Sequence, residues 1–391
     1  MYDVAIVGAR CAGASLAMLL AQRGWRVALV DRAQFPSDTI STHFLWQRGA
    51  AHLKSWGLLP RLRRLGCMPL PELTFDFGRV SLTGPPPPVD GVSDSYCPRR
   101  TVLDSLLVEA ATDAGVDLLE QTAVMGMRWS EGRAGGIVIR GGNGATKSLE
   151  ARVVVGADGR HSSIARETQA QAYRWIPSLT FVYYSYWSGL SSRVPVYHMR
   201  AGRLILRWPT NDGLTCIYVG SSRSEFAAFR RDIEGNFLRA LECVEGLRDE
   251  VAAGRREERF RGSADLPNFY RTAYGSGWVL VGDAGHHKDP ATGFGISDAF
   301  AAAEVLATAV HSVLARERSW LEAMSAYEKW RDASTKQGFE RTIAAASLRP
   351  VSHRIERHLA DAAGKPDEVT HVIGVLGGII PAEEVFSGVA V

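Results

Sequence analysis

The stretch VAIVGARCAGASLA, residues 4–17, places Gly8 and Gly13 in a turn between an apolar run and a helical one. Residues of these types at this spacing suit one task, holding a pyrophosphate. Gly8 makes the tight turn, and Gly13 lets a helix pack closely on a strand. The helix N-terminus, where Cys11 and Ala12 lie, turns free backbone N–H groups and its positive dipole end toward an anion. Asp31 closes the next apolar run, near the roughly 20-residue offset at which a carboxylate accepts from a ribose hydroxyl, with Arg32 beside it. An acid there repels a 2′-phosphate, so this unit is not expected to hold NADPH. Arg10 stands where such a loop has its second glycine. A guanidinium at that place either obstructs the phosphates or neutralises them through charge-assisted hydrogen bonds. Alone, the loop reads equally well as a plain structural turn.

Two distant motifs decide between these readings. ARVVVGADGRHSSIAR, residues 151–166, runs from an apolar strand into Asp158-Gly159 and a helix start. GWVLVGDAGHHKDPATGFGISDAFAAAEVLATAV, residues 277–310, ends a buried strand in Gly282-Asp283, then turns through Pro290, Gly293 and Gly295 into a long alanine-rich helix. Glycines, a proline and carboxylates ahead of a helix bring backbone against a ligand at a helix N-terminus.

The elements that must position these residues follow from the apolar pattern. YDVAIV at 2–7 and WRVALV at 25–30 read as buried parallel strands flanking a helix that ends at Gly24. GGNGA at 141–145 reads as a hairpin turn. Segments 73–84, 178–190 and 203–220 have strand character and suggest one inserted antiparallel sheet. After residue 317 the chain is helical, as WLEAMSAYEKWRDASTKQGFERTIAAA and then SHRIERHLADAAG, with Gly364 and Lys365-Pro366 marking a stop. The chain of 391 residues, 46% apolar, is long enough for two interleaved domains. A net charge of +3 with scattered basic residues gives no support to nucleic-acid or anionic-membrane binding. Five widely spaced cysteines without a C-x-x-C pair fit a reducing, cytoplasmic setting with neither disulfides nor a metal site. The apolar run ASLAMLL is too short for a membrane span and lacks a basic leader.

The ordered set GARCAGA, ADGRHS and GDAGHHKDPATGFG resembles the FAD-dependent group A aromatic hydroxylases, the p-hydroxybenzoate hydroxylase-like family, and geranylgeranyl reductases share these motifs. The resemblance implies an α/β fold: a three-layer, Rossmann-like FAD domain (1–72, 98–170 and 266–316), an antiparallel substrate sheet (73–97 and 171–265), and a C-terminal helical cap (317–391). It implies that Gly8, Ala12 and Gly13 face the FAD pyrophosphate and Asp31 the adenosine ribose, with Arg10, Cys11 and Arg32 also among the cofactor-binding positions. Arg100 lies near the flavin chain, Val124 on a strand passing the adenine, and Asp283 at the ribityl chain, with Asp158 and Gly282 also among the cofactor-binding positions. Gly295 and Ile296 bring backbone N–H groups to the flavin ring, whose negative charge after reduction a helix N-terminus stabilises, with Pro290 and Gly293 also among the cofactor-binding positions. Ser41, Thr42 and His43 return toward the isoalloxazine, and His43 is the candidate acid or base. Its alternative is a satisfied structural group, and His286 and His287 read as caps of the late helix. Three positions depart from the family pattern: Arg10, Arg166 one place late, and Ser297 where asparagine is usual.

In FVYYSYW, strict alternation puts Phe181, Tyr183, Ser185 and Trp187 on one face and Val182, Tyr184 and Tyr186 on the other. Tyr183, Ser185, Trp187 and Arg207 are the substrate-side candidates, with packing as their alternative role. Together they favour a flat aromatic or polycyclic small molecule. The implied activity is an NAD(P)H- and O2-dependent monooxygenase acting through a C4a-hydroperoxyflavin. The alternatives are an FAD-dependent reductase or dehydrogenase of an isoprenoid or polyketide, and a flavoprotein-like binding module without cofactor. Halogenation has no support, because YRWIP at 173–177 does not match W-x-W-x-I-P.

Overall fold

The computed structural model describes residues 1–142, 144–190, 193–381 and 384. Branched and small apolar residues form Tyr2–Val7 (β1), the chain turns into helix Cys11–Ala21 (α1), and Val27–Val30 (β2) pairs parallel to β1 with Val4 beside Val27. Helix Arg100–Asp113 (α2) packs on α1. Thr146–Gly156 (β3) pairs parallel on the other side of β1, with Val4 beside Val153, and Trp278–Leu280 and Asp117–Leu119 extend the sheet to either side. Being buried on both faces, these strands are continuously apolar rather than alternating. Val4, Ile6, Leu29, Val153, Val155 and Val279 face the helices, and Ala5, Val7, Val30, Val154 and Leu280 face an antiparallel meander of Ala123–Ser130, Arg133–Arg140 and β3. The hairpin expected at 141–145 joins the last two of these strands, and its residue 143 lies outside the described residues.

The second sheet centres on Thr180–Ser188 (β4), paired antiparallel with Thr215–Ser222 so that Tyr184 faces Tyr218 and Tyr186 faces Cys216. It continues through Arg203–Pro209 and Val196–Arg200 to Leu73–Asp76 and Ser81–Gly84. One pair differs from the antiparallel expectation: Val196–Arg200 lies parallel to Leu73–Asp76. The reason is connectivity, since those two strands are joined by a long passage through the first sheet and not by a hairpin.

Helix Gly295–Leu314 (α3) runs beside α1 in the core and is the one described helix long and apolar enough to cross a membrane. Trp320–Ala346 (α4) packs on it behind a Ser319–Glu322 capping box. His353–Ala362 (α5) follows and stops before Gly364 as expected, and Pro366 then sits in the first turn of a further helix, Pro366–Leu376 (α6), where its missing N–H costs nothing. Leu359, Val369, Val372 and Ile373 of α5 and α6 join the aromatic core of the second sheet.

Candidate active site

The three motifs meet at the C-terminal edge of the first sheet. Gly8 has φ +103°, and a Cβ there would lie 2.4 Å from the carbonyl oxygen of Ala157; one on Gly13 would lie 1.8 Å from that of Gly8. Both positions therefore demand glycine, and both press the first loop onto the turn that leads into Asp158. Gly282, at φ +61°, brings the strand end of the third motif against Ala12, whose Cβ would be 2.8 Å from an added one. Asp31 ties the loop from the other side, accepting from Ala9 N–H at 2.7 Å and Ala33 N–H at 2.8 Å. Asp158 accepts from Ser162 Oγ (2.5 Å), Ser163 N–H (2.6 Å) and Ser163 Oγ (2.7 Å), so its carboxylate starts the short helix Ser163–Glu167. Val124 lines, with Ser163, Ile164 and Arg166, a cavity of about 270 Å³ beside that helix.

Two uncapped helix N-termini open on this edge. No side chain caps α1, and no acid lies in its first turn, so the amides of Cys11, Ala12 and Gly13 keep their capacity for an anion. No side chain caps α3 either, and Gly295 is exposed with no atom within 4 Å of a would-be Cβ. Just before it, Gly293 takes the left-handed conformation at φ +69°, where an added Cβ would come within 3.5 Å of Phe44, Trp46 and Tyr197. Trp46 Nε1–H fixes the turn by donating to the Thr292 carbonyl at 3.0 Å. Asp298 pairs with Lys288, and the buried Ser297 Oγ has no partner among the described residues. Open space at an anion-binding helix end, flanked by an orphaned hydroxyl, fits an isoalloxazine edge; the amides of α1 fit the phosphates.

The GHHKDP segment does structural work. His286 and His287 do not cap the late helix; they form a short strand on Asn268–Arg271, with both imidazoles held neutral by burial. Asp289 is buried, accepting from Thr180 Oγ1 (2.6 Å) and Ala291 N–H (3.0 Å), and burial raises its pKa to about 6 despite the Thr180 hydrogen bond. A carboxyl pKa raised by folding favours the native state while the group stays protonated. The contribution is full below the ordinary value near 4 and is lost as pH rises to about 6. Wild-type stability is therefore expected to fall by up to about 3 kcal/mol over that window, and Asp289→Asn should remove this step from the urea midpoint measured against pH. A parallel fall in the variant would show that another group titrates.

Arg10 does not lean over the phosphate loop. Its guanidinium donates to Asp104 at 2.6 Å and to Ser37 O, Ser37 Oγ and Asp38 O at 3.1–3.3 Å, clamping the 37–43 segment against α2. Arg100, four residues before Asp104 on α2, donates to both oxygens of the same carboxylate at 2.8–3.1 Å. Although burial opposes its charge, Asp104 and, more weakly, Asp283 hold the Arg100 pKa above the usual arginine value. The clamped segment ends in Thr42 and the fully buried His43, which adopts φ +62°. Tyr186 Oη lies 2.5 Å from His43 Nε2, with the rings stacked at 5.7 Å, and Tyr184 meets the imidazole edge-on. Arg99 covers the Tyr186 ring at 4.4 Å and pairs with Glu258, which also pairs with Arg261. Burial, then Arg100, Arg99 and Arg261, bring the His43 pKa down to about 3.

The substrate-side candidates lie on the other face of β4. Phe181, Tyr183 and Trp187 pack outward on Phe229, Phe237 and Leu241 of short helices, Ser185 Oγ donates to the Glu258 carbonyl at 2.6 Å, and Arg207 pairs with Glu250 at 2.7 Å. Val182, Tyr184 and Tyr186 face Phe44, Trp46, Tyr197, Trp208 and Phe294, next to the Gly293 turn. The alternation was right, but both faces are buried and their polarity does not distinguish them. Sequence reasoning also missed Asp104, Arg99 and Glu258. Of these, Asp104 alone carried a local signal, its i,i+4 spacing from Arg100.

Two anion-binding helix ends joined by one edge of a parallel sheet define a dinucleotide-dependent enzyme, and the chain belongs to the family described as FAD binding domain, which matches residues 1–342. It is thus an FAD-dependent oxidoreductase of the group that includes flavin monooxygenases and halogenases. The chain is 26% identical over 339 residues to digeranylgeranylglycerophospholipid reductase 2 of Methanothermobacter thermautotrophicus, covering 84% of this chain and 83% of that protein. It is 30% identical over 167 residues to 6-methylpretetramide 4-monooxygenase of Streptomyces rimosus, covering 42% and 40%. Among solved structures, the myxobacterial chondrochloren halogenase CndH superposes with a TM-score of 0.80 at 21% identity over 97% of each chain, a likeness of fold.

Proposed function

We propose that the protein is an FAD-dependent monooxygenase that uses NAD(P)H and O2 to place one oxygen atom on an aromatic or polycyclic small molecule, in a reducing cytoplasm. The observation that carries this reading is the open, uncapped N-terminus of α3 beside the Gly293 turn, against which the buried aromatic cluster of Tyr184, Tyr186, Phe44, Trp46 and Trp208 packs. A flat apolar ring seated at that turn, where the flavin ring would sit, would meet an aromatic rather than a polar neighbourhood. Bound FAD supplies the electron transfer and oxygen activation. The chain supplies position: α1 amides hold the phosphates, Asp283 and Arg100 flank the flavin chain, and the amides of Gly295 and Ile296 stabilise negative charge on the reduced ring. The closely packed aromatic core excludes water from the reacting edge. Similarity to the S. rimosus monooxygenase supports the oxygenase chemistry.

A second reading, reduction of a prenyl or polyketide double bond, is favoured by the reductase similarity that spans most of the chain. Aerobic and anaerobic incubations of the FAD-loaded enzyme with NAD(P)H and phenolic, polycyclic and prenylated compounds separate the two by product mass. An added oxygen that vanishes without O2 is expected; a product heavier by two hydrogens and indifferent to O2 would move the protein to the second reading. A purified protein that stays colourless with added FAD would remove both.

A further inference from the structure

The hydrogen-bond inventory around His43 locates its proton. Nδ1 of His43 is buried and has no partner among the described residues, while Nε2 and Tyr186 Oη are 2.5 Å apart with room for one proton between them. If Nε2 carried the proton and donated to the phenol oxygen, the Tyr186 hydroxyl would need another acceptor and Nδ1 a donor. Neither exists among the described residues. That arrangement leaves two buried groups unsatisfied, each costing about 1–3 kcal/mol. If Tyr186 donates to Nε2, a single group is left over, the Nδ1–H. The imidazolium is excluded by burial and by Arg99, Arg100 and Arg261, which face the ring from the start of α2 and from strand Arg261–Ser263, while β4 offers only the neutral phenols of Tyr184 and Tyr186. His43 moreover holds a left-handed backbone conformation that a non-glycine residue keeps only where its surroundings enforce it, as at ligand sites.

We propose that Tyr186 fixes His43 as the Nδ1–H tautomer and that this N–H, now covered from solvent, donates to an acceptor oxygen, a carbonyl or an oxyanion, on the flavin or the ring substrate once the bound ligand displaces what covers it. The surrounding guanidiniums favour an electron-rich oxygen over a hydroxyl donor. The inference rests on the flavoenzyme reading of the cleft. His43 is then the contact to the ligand, and Tyr186 is a positioning residue steadied by Arg99 across its face.

The test is nitrogen NMR of FAD-loaded enzyme labelled with ¹⁵N-histidine, the His43 signals being assigned from their loss in His43→Gln. The expected pattern is a protonated Nδ1 and a bare Nε2, unchanged from about pH 5 to about pH 9. A protonated Nε2, or titration inside that range, would overturn the proposal. Tyr186→Phe should shift the ring toward the Nε2–H form; an unchanged tautomer would refute the positioning role. A flavin oxygen as acceptor moves the Nδ1–H signal on dithionite reduction, and a substrate oxygen moves it on adding 1,4-naphthoquinone to oxidised enzyme. A signal that responds to neither defeats the ligand contact. Yellow protein with the opposite tautomer sinks this inference and leaves the proposed function intact, whereas colourless protein sinks the function first.

Discussion

Asp104→Ala is expected to lower the stability of the folded chain by about 3–5 kcal/mol, the range for removing one partner of a buried charge pair. Asp104 is fully buried and accepts from Arg10 and Arg100, with the Cys11 thiol at 3.5 Å. Without it, Arg10 keeps Ser37 and some access to solvent, but Arg100 is left as a guanidinium 8% exposed with no bonded carboxylate. The loss therefore falls mainly on Arg100, so Arg100→Met/Asp104→Leu should recover much of it, because an apolar pair can replace a buried ion pair at little cost. Urea midpoints of the three proteins check this. A single-variant loss below about 1 kcal/mol would mean that water reaches Arg100 and that the clamp on the 37–43 segment is weak.

This cluster also shows where the sequence stops speaking. The parallel strands, the two glycine turns and the helices they open were legible because each is set by a local pattern: a continuous apolar run, a glycine forced by sterics, a helical period. Arg10 replaced an expected glycine, and its local context offered the phosphates as the nearby anion. Its actual partner is an aspartate 94 positions away on a helix that packs beside it, a choice made by tertiary contact. The face of β4 failed for a similar reason. A strand with one wet side announces its buried face by polarity, but β4 is covered on one side by the aromatic core and on the other by the helices at 226–253, so alternation sorted its residues without naming the side that meets the cleft. His43 was legible as a histidine near the motifs. That Tyr186 restrains it was not, since the two lie 143 positions apart and meet only where the 37–43 segment packs on the second sheet.

Gly295 offers the sharpest separation of cofactor binding from folding. Substitution at Gly8 or Gly13 would drive a side chain into backbone, so loss of flavin there would say little about where flavin sits. A Cβ at Gly295 meets no atom within 4 Å, the position is exposed and its φ is not left-handed, so Gly295→Leu should leave the FAD-free fold intact or stabilise it by up to about 1 kcal/mol through helix propensity. If the flavin ring lies over the first turn of α3, the same leucine occupies its space and shields the amides that stabilise it. FAD affinity should then fall by at least about 100-fold, which corresponds to about 2.7 kcal/mol. Thermal melts of the FAD-free proteins and fluorescence titration with FAD measure the two effects independently. A leucine variant that melts as expected yet binds FAD with unchanged affinity would place the ring elsewhere, and the aromatic cluster of β4 would lose its claim to the substrate along with it.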